Sequence, residues 1–192
     1  MHGKVIGTID PNLEDADRVL YQQNHHMLIA QAKAMDLCHR TSSQYIHPTN
    51  DFGWQIDPVG FRTTLREVYE RYQLPIIITE NGLGAIDNVE EDGTVRDPYR
   101  INYFKQHIEQ MQLAITDGVD LLGYCPWSAI DLVSKHSGAK KRYGFVFVDR
   151  EEFDLKELRR IPKQSYYWYK DVIRSNGENL SNSTEYAFSD RK

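Results

Sequence analysis

The sequence predicts an α/β fold, and three observations carry that reading. Stretches with helical spacing of apolar residues alternate with short apolar runs, in the order helix, strand, helix, strand, helix. The runs, such as Ile76-Ile77-Ile78, are continuous rather than alternating, as expected of parallel strands covered on both faces. Asp-Pro pairs start helices at 57–58, where aspartate can cap and proline fits the first turn, and at 97–98.

Taken in order, KVIGTI at 4–9 reads as a short strand or extended loop. Residues 12–39 read as a long helix, with Glu14, Asp15 and Asp17 at its positive end and Leu20, Met27, Ala34 and Leu37 in one stripe. Residues 39–58 are polar and aperiodic, a long loop for a compact domain. The helix opened by Asp57-Pro58 aligns Phe61, Leu65, Val68, Tyr69 and Tyr72. A strand over 75–79 follows, then a turn-rich loop with EDGT at 91–94 as a hairpin tip. The helix after Asp97-Pro98 buries Ile101, Phe104, Ile108, Met111 and Ile115 and ends at Gly118. DLLGYCPW (120–127) and YGFVFVD (143–149) are the second and third strands, and residues 163–175 form a last helix stopped by Gly177. Residues 1–177 are expected to form a single domain, and 178–192 a polar, disordered tail.

Composition narrows the function classes. The net charge is −5 with no basic stripe, which argues against nucleic acid as a partner. No apolar run approaches a membrane span, and the first residues do not read as a signal peptide. Cys38 and Cys125 lie in different apolar segments outside any CxxC pattern, and read as reduced core residues of a cytoplasmic protein. His25-His26 are adjacent rather than helically spaced, no HExxH occurs, and DNVEEDG at 87–93 puts Val89 where a calcium loop needs a ligand. No metal or other cofactor is expected.

Chemistry concentrates where strands end. In α/β barrels the reacting groups lie at the carboxyl ends of the strands. Glu80 follows one strand, and Trp127-Ser128 follow the next. A carboxylate beside an aromatic plate suits a sugar, whose C–H face stacks on indole. The residues alone leave two other readings open: a rim carboxylate satisfied by backbone amides or an arginine, and a tryptophan packed in the core.

Longer motifs extend this. IIITENG resembles the nucleophile motif of glycoside hydrolase family 1. GYCPWSAIDLV followed by KRYGFVFVD resembles that family's strand-eight region and the short strand after it. RIPKQSYYWYKDVI resembles its closing helix, DFGWQIDPVGFRTTLREVYERY the segment leading into the nucleophile strand, and VLYQQNHHMLIAQAKAM the helix after the acid/base strand. The resemblance implies a partial (β/α)8 barrel, strands seven and eight with flanking helices, with an internal junction near 40–41. It implies Glu80 as the nucleophile of a retaining glycosidase and Trp127 as the floor of the sugar subsite.

The resemblance also points to a substrate class. Members that bind plain sugars commonly carry NFEW after the WSxxD run, and Ser134 stands here where that glutamate would be. Ser134, Lys141 and Tyr143 are spaced like the phosphate clasp of the 6-phospho-β-glycosidases: an ammonium and two hydroxyls suit a dianion. Without the family context, Lys140, Lys141 and Arg142 also read as a solvated basic turn. Lys135 replaces the tryptophan of galactoside-preferring relatives, which favours a phosphorylated β-glucoside. The family's acid/base glutamate sits in an Asn-Glu pair, and no Asn-Glu dipeptide occurs here. The expectation is a glycosidase impaired by the missing proton donor. Its rivals are a non-catalytic phosphosugar-binding fragment, an inactive remnant, and a piece that self-associates or pairs with an N-terminal half.

Overall fold

The computed structural model describes residues 48–181. The expectations for 4–9 and 12–39, the junction at 40–41, Cys38 and the stretch beyond 181 lie outside the described residues.

The described chain begins with a turn closed by Asn50, whose Oδ1 accepts from the backbone N–H groups of Phe52 and Trp54. Helix α1 (Pro58–Tyr72) starts as expected, with Asp57 Oδ1 accepting from Gly60 N and proline in the first turn. It ends at Gln73, in the left-handed region at φ 51°. Strand β1 (Ile76–Asn81) follows, then helix α2 (Pro98–Thr116) and strand β2 (Leu121–Pro126). β1 and β2 pair in parallel, so the segment is a β–α–β unit. Strand β3 (Val146–Val148), strand β4 (Arg160–Pro162) and helix α3 (Gln164–Arg174) complete the described elements.

The core lies between α2, one face of the two parallel strands, and α3. Phe104 is wholly buried among Ile78, Ile108, Phe145, Trp168 and Val172. Its ring is 5.1 Å from Phe145, and Phe145 stacks on Tyr169 at 4.8 Å with their planes 10° apart. Leu180, in the stretch read as a polar tail, is buried in this cluster.

Three expectations need correction. The 143–149 run is not a third parallel strand. Only Val146–Val148 is extended, and it pairs antiparallel with β4 in a separate two-stranded sheet. The reason is that the backbone at 143–145 is bonded elsewhere: Tyr143 O accepts from Ser128 N, Gly144 N donates to Asp131, and Phe145 N donates to Ser128 O. Residues 91–94 do form a turn, in which Glu90 N donates to Thr94 O and Asp92 Oδ1 accepts from Thr94, but no strands flank it. Thirdly, the parallel strands are not covered on both faces. Ile77 is 56% and Leu122 65% exposed, and Cys125 is exposed rather than in the core. Ile115 of α2 is likewise exposed. Among the described residues β1 and β2 pair only with each other, so neither sheet closes into a barrel.

His107 fixes a second feature of the core. It is buried on α2, with Nδ1 2.7 Å from the Tyr103 carbonyl oxygen and its ring against Phe61 and Tyr103. Burial lowers its pKa below the usual histidine value, more than the Tyr103 carbonyl and Asp57 raise it. The folded state therefore resists a proton that the unfolded chain accepts. Stability is complete above the unfolded value of about 6.5 and declines as pH falls below it. Urea titrations between pH 7.5 and 5.5 should show wild-type stability falling by up to about 1.4 kcal/mol per pH unit from this group. His107→Gln should be flatter by that amount; equal slopes would contradict the assignment.

Candidate active site

The site is built at the carboxyl end of the parallel pair. Asn81 closes β1, and its side chain turns towards α2: Nδ2 donates to Tyr103 Oη at 3.1 Å, and Oδ1 accepts from Tyr124 Oη at 2.7 Å. Burial raises the pKa of both phenols, Tyr103 to about 12, so both stay protonated, Tyr124 as the donor to Asn81 and Tyr103 as the acceptor from it. The strand register shifts between Ile78 and Asn81, so that Ile78 and Asn81 both turn to the helix side. Glu80 is exposed, and no described side chain donates a hydrogen bond to it.

Trp127 is brought to the same rim by the backbone. Its N–H donates to Asn81 O at 2.7 Å, continuing the parallel ladder past Pro126. Gly82 makes the approach feasible, since a Cβ at that position would lie 1.9 Å from Trp127 O. The indole is 38% exposed, so it is a rim residue and not a core residue. The peptide bond between Trp127 and Ser128 is cis.

Lys141 and Tyr143 come next. Ala85 and Arg142 exchange two backbone hydrogen bonds of 2.9 Å, which staples the 141–143 segment to the loop leaving β1. The Lys141 side chain crosses Gly84, where a Cβ would sit 2.3 Å from Lys141 Cε and 3.0 Å from Tyr143 Cε1. Glu80, Trp127, Lys141 and Tyr143 are thus gathered at one end of the sheet. Ser134 is not joined to them by a hydrogen bond. It is buried in its own small turn, exchanging two 3.0 Å backbone bonds with Gly138. Of the basic run, only Lys140 and the more distant Lys135 are exposed; Lys141 and Arg142 are buried, which corrects the reading of a solvated basic turn.

Sequence reasoning missed what holds these loops. Arg100, fully buried in the first turn of α2, donates Nε to Asp97 and Nη2 to Asp87. Its Nη1 donates to the carbonyls of Leu83 and Tyr143. Lys163, at the entry to α3, donates to Asp87 and to Asp131. Arg142 donates to Asp131 Oδ2 and to Val148 O, with its guanidinium over the Phe147 ring. Asp97 also accepts from Ser165 N and Oγ. Three cations and three carboxylates are balanced within one buried cluster. Burial alone would raise the pKa of Asp87, but Arg100 and Lys163 outweigh it and hold the carboxyl below its ordinary value. Asp97 goes the other way, because burial exceeds what Arg100 and Ser165 return. Asp87 opens the DNVEEDG stretch considered above as a calcium loop, so its charge is spent on protein cations. No group of three or more metal-ligating side chains occurs among the described residues, and no described helix is long and apolar enough to cross a membrane.

Comparison with known proteins shows the family to which the chain is similar. A family model described as Glycosyl hydrolase family 1 matches residues 39–178. The aryl-phospho-β-D-glucosidase BglC of Bacillus subtilis (strain 168) is 57% identical over 132 residues, which are 69% of this chain and 28% of that protein. The 6-phospho-β-glucosidase AscB of Escherichia coli (strain K12) is 52% identical over 132 residues, 68% of this chain and 28% of that protein. A family 1 β-glucosidase from Thermotoga maritima superposes with a TM-score of 0.65 at 41% identity, over 70% of this chain and 30% of that one. The chain therefore spans under a third of the length of these relatives.

Removing one member of the buried cluster leaves the rest uncompensated. Arg100→Met should cost about 3–5 kcal/mol in chemical denaturation. Arg159→Ala, on an exposed pair with Asp149 and Glu157, should cost under about 1 kcal/mol. A loss below about 1 kcal/mol for Arg100→Met would show that the cluster does not hold the loops.

Proposed function

Because this chain belongs to glycosyl hydrolase family 1, we propose that it is the strand-seven and strand-eight portion of a retaining glycosidase acting on 6-phospho-β-glucosides. In this reading β1 and β2 are those two barrel strands. Glu80 is the nucleophile: its carboxylate attacks the anomeric carbon, the aglycone oxygen leaves, and water later hydrolyses the glycosyl ester. Trp127 is the platform under the sugar ring. Lys141 and Tyr143, with Ser134, receive the 6-phosphoryl group. The observation that supports this most is the 2.7 Å bond from Trp127 N to Asn81 O, together with the passage of Lys141 over Gly84. These contacts support a reading in which a carboxylate, an indole and an ammonium share one mouth. The similarity to the aryl-phospho- and 6-phospho-β-glucosidases supports the phosphorylated substrate over a plain glucoside.

The proton donor that the mechanism needs, about 5–5.5 Å from the nucleophile, is not supplied by any Asn-Glu motif of this chain. The exposed Ile77 and Leu122, and the outer edges of β1 and β2, unpaired among the described residues, favour a second reading. In it the chain binds a phosphosugar without turning it over, until the remainder of a barrel covers these surfaces, from another copy or a separate N-terminal half.

Calorimetry with glucose 6-phosphate, and hydrolysis of a chromogenic 6-phospho-β-glucoside, test both readings. The chain alone should bind the phosphosugar, and Lys141→Ala should weaken binding roughly 10- to 100-fold. Hydrolysis should appear, or rise, on adding a separately expressed N-terminal half, and Glu80→Gln should abolish it. Unchanged binding in Lys141→Ala would end the phosphate assignment. Hydrolysis undiminished in Glu80→Gln would end the nucleophile assignment.

A further inference from the structure

The Lys141 ammonium has an unusual setting. The residue is 2% exposed, yet among the described residues no carboxylate pairs with it and its amine donates no hydrogen bond. Its neighbours are rings: Nζ lies 3.2 Å from the Trp54 ring centroid, 4.6 Å from that of Phe52 and 5.6 Å from that of Tyr143. A buried cation with unspent donors is costly unless something offsets its lost hydration, and the faces of aromatic rings supply part of that. They do so without neutralising the charge, as a carboxylate would. The amine is therefore held ready for an anion but covered from it.

One ring of this cage is poorly buttressed. Tyr143 is buried, with its backbone held by Ser128 N and Arg100. Phe52 is half-buried. Trp54 is 52% exposed, and it sits outside the helices and strands, in the turn closed by Asn50 and by Gly53 at φ 76°. That turn is tied to the β1 exit loop through Asp51, whose Oδ2 accepts from Ile86 N. Any anion that reaches Nζ must first part the cage, and Trp54 is the ring that leaves it at least cost.

We propose that Trp54 is a positioning and specificity residue for the phosphate site: its indole holds the Lys141 ammonium until a phosphoryl dianion displaces it. This rests on the assignment of Lys141 to phosphate binding. A dianion replaces the cation–π contact with charge-assisted hydrogen bonds to the ammonium, whereas the hydroxyl of an unphosphorylated sugar offers far less for the same displacement. The indole thus sets a threshold that phosphorylated ligands cross and neutral ones do not.

The experiment measures binding of glucose 6-phosphate, inorganic phosphate and glucose to the full chain, by calorimetry and by tryptophan emission. Trp54→Leu removes the competing ring and should tighten glucose 6-phosphate binding by roughly threefold to tenfold. Trp54→Phe keeps a weaker cation–π partner and should fall between wild type and Trp54→Leu. Wild-type emission should change on adding glucose 6-phosphate or phosphate, not on adding glucose, and Lys141→Ala should remove the change. Thermal melts of the two Trp54 variants check that each is folded. Unchanged or weaker glucose 6-phosphate binding in folded Trp54→Leu overturns the inference while leaving Lys141 as the phosphate ligand. If the wild-type chain does not bind glucose 6-phosphate, or Lys141→Ala binds it equally well, the phosphate assignment fails and this inference fails with it.

Discussion

The local architecture depends on one buried arrangement of charge: Arg100 and Lys163 sharing Asp87, with Asp97 and Asp131 on either side. These side chains come from the loop after β1, the start of α2, the loop after β2 and the entry to α3. A cluster of this kind gains little net stability over an apolar core, because desolvating each ion offsets most of the attraction. What it confers is direction. Arg100 also donates to the carbonyls of Leu83 and Tyr143, so the two loops that carry the candidate site are fixed to one guanidinium. An apolar residue of equal volume could fill the space but could not choose the register of those carbonyls.

That arrangement explains how a small parallel pair supports an organised rim. The β1–β2 ladder is short, and its register shifts between Ile76 and Ile77 and again between Ile78 and Asn81. The rim is carried further by bonds outside the ladder, from Trp127 N to Asn81 O and between Ala85 and Arg142. Ile77, on the opposite face, is in solvent and has no such support among the described residues. The helix side of the unit is a finished core around Phe104, and the open side is an apolar surface with nothing described against it. Glu80 is exposed at the carboxyl end of β1.

Much of this was legible in the sequence by itself. The Asp-Pro starts at 57–58 and 97–98, the apolar spacing of Leu65, Ile101, Phe104 and Ile108, and the strand ending near Glu80 follow from local physics. Caps, first-turn prolines and periodicity act within a few residues of the chain, so they can be read along it. The family resemblance was legible for the same reason, because its motifs are contiguous. Tertiary structure alone decided that residues 143–145 leave the strand to bond Ser128 and Asp131, that Cys125 is exposed, that Ser134 is buried in a turn closed by Gly138, and that Lys141 lies under Trp54. The bonds of 143–145 and the setting of Lys141 depend on partners far apart in sequence, as Asp87 and Lys163 are. Burial and charge pairing between distant segments leave no periodic trace in either segment, so only the folded chain reveals them.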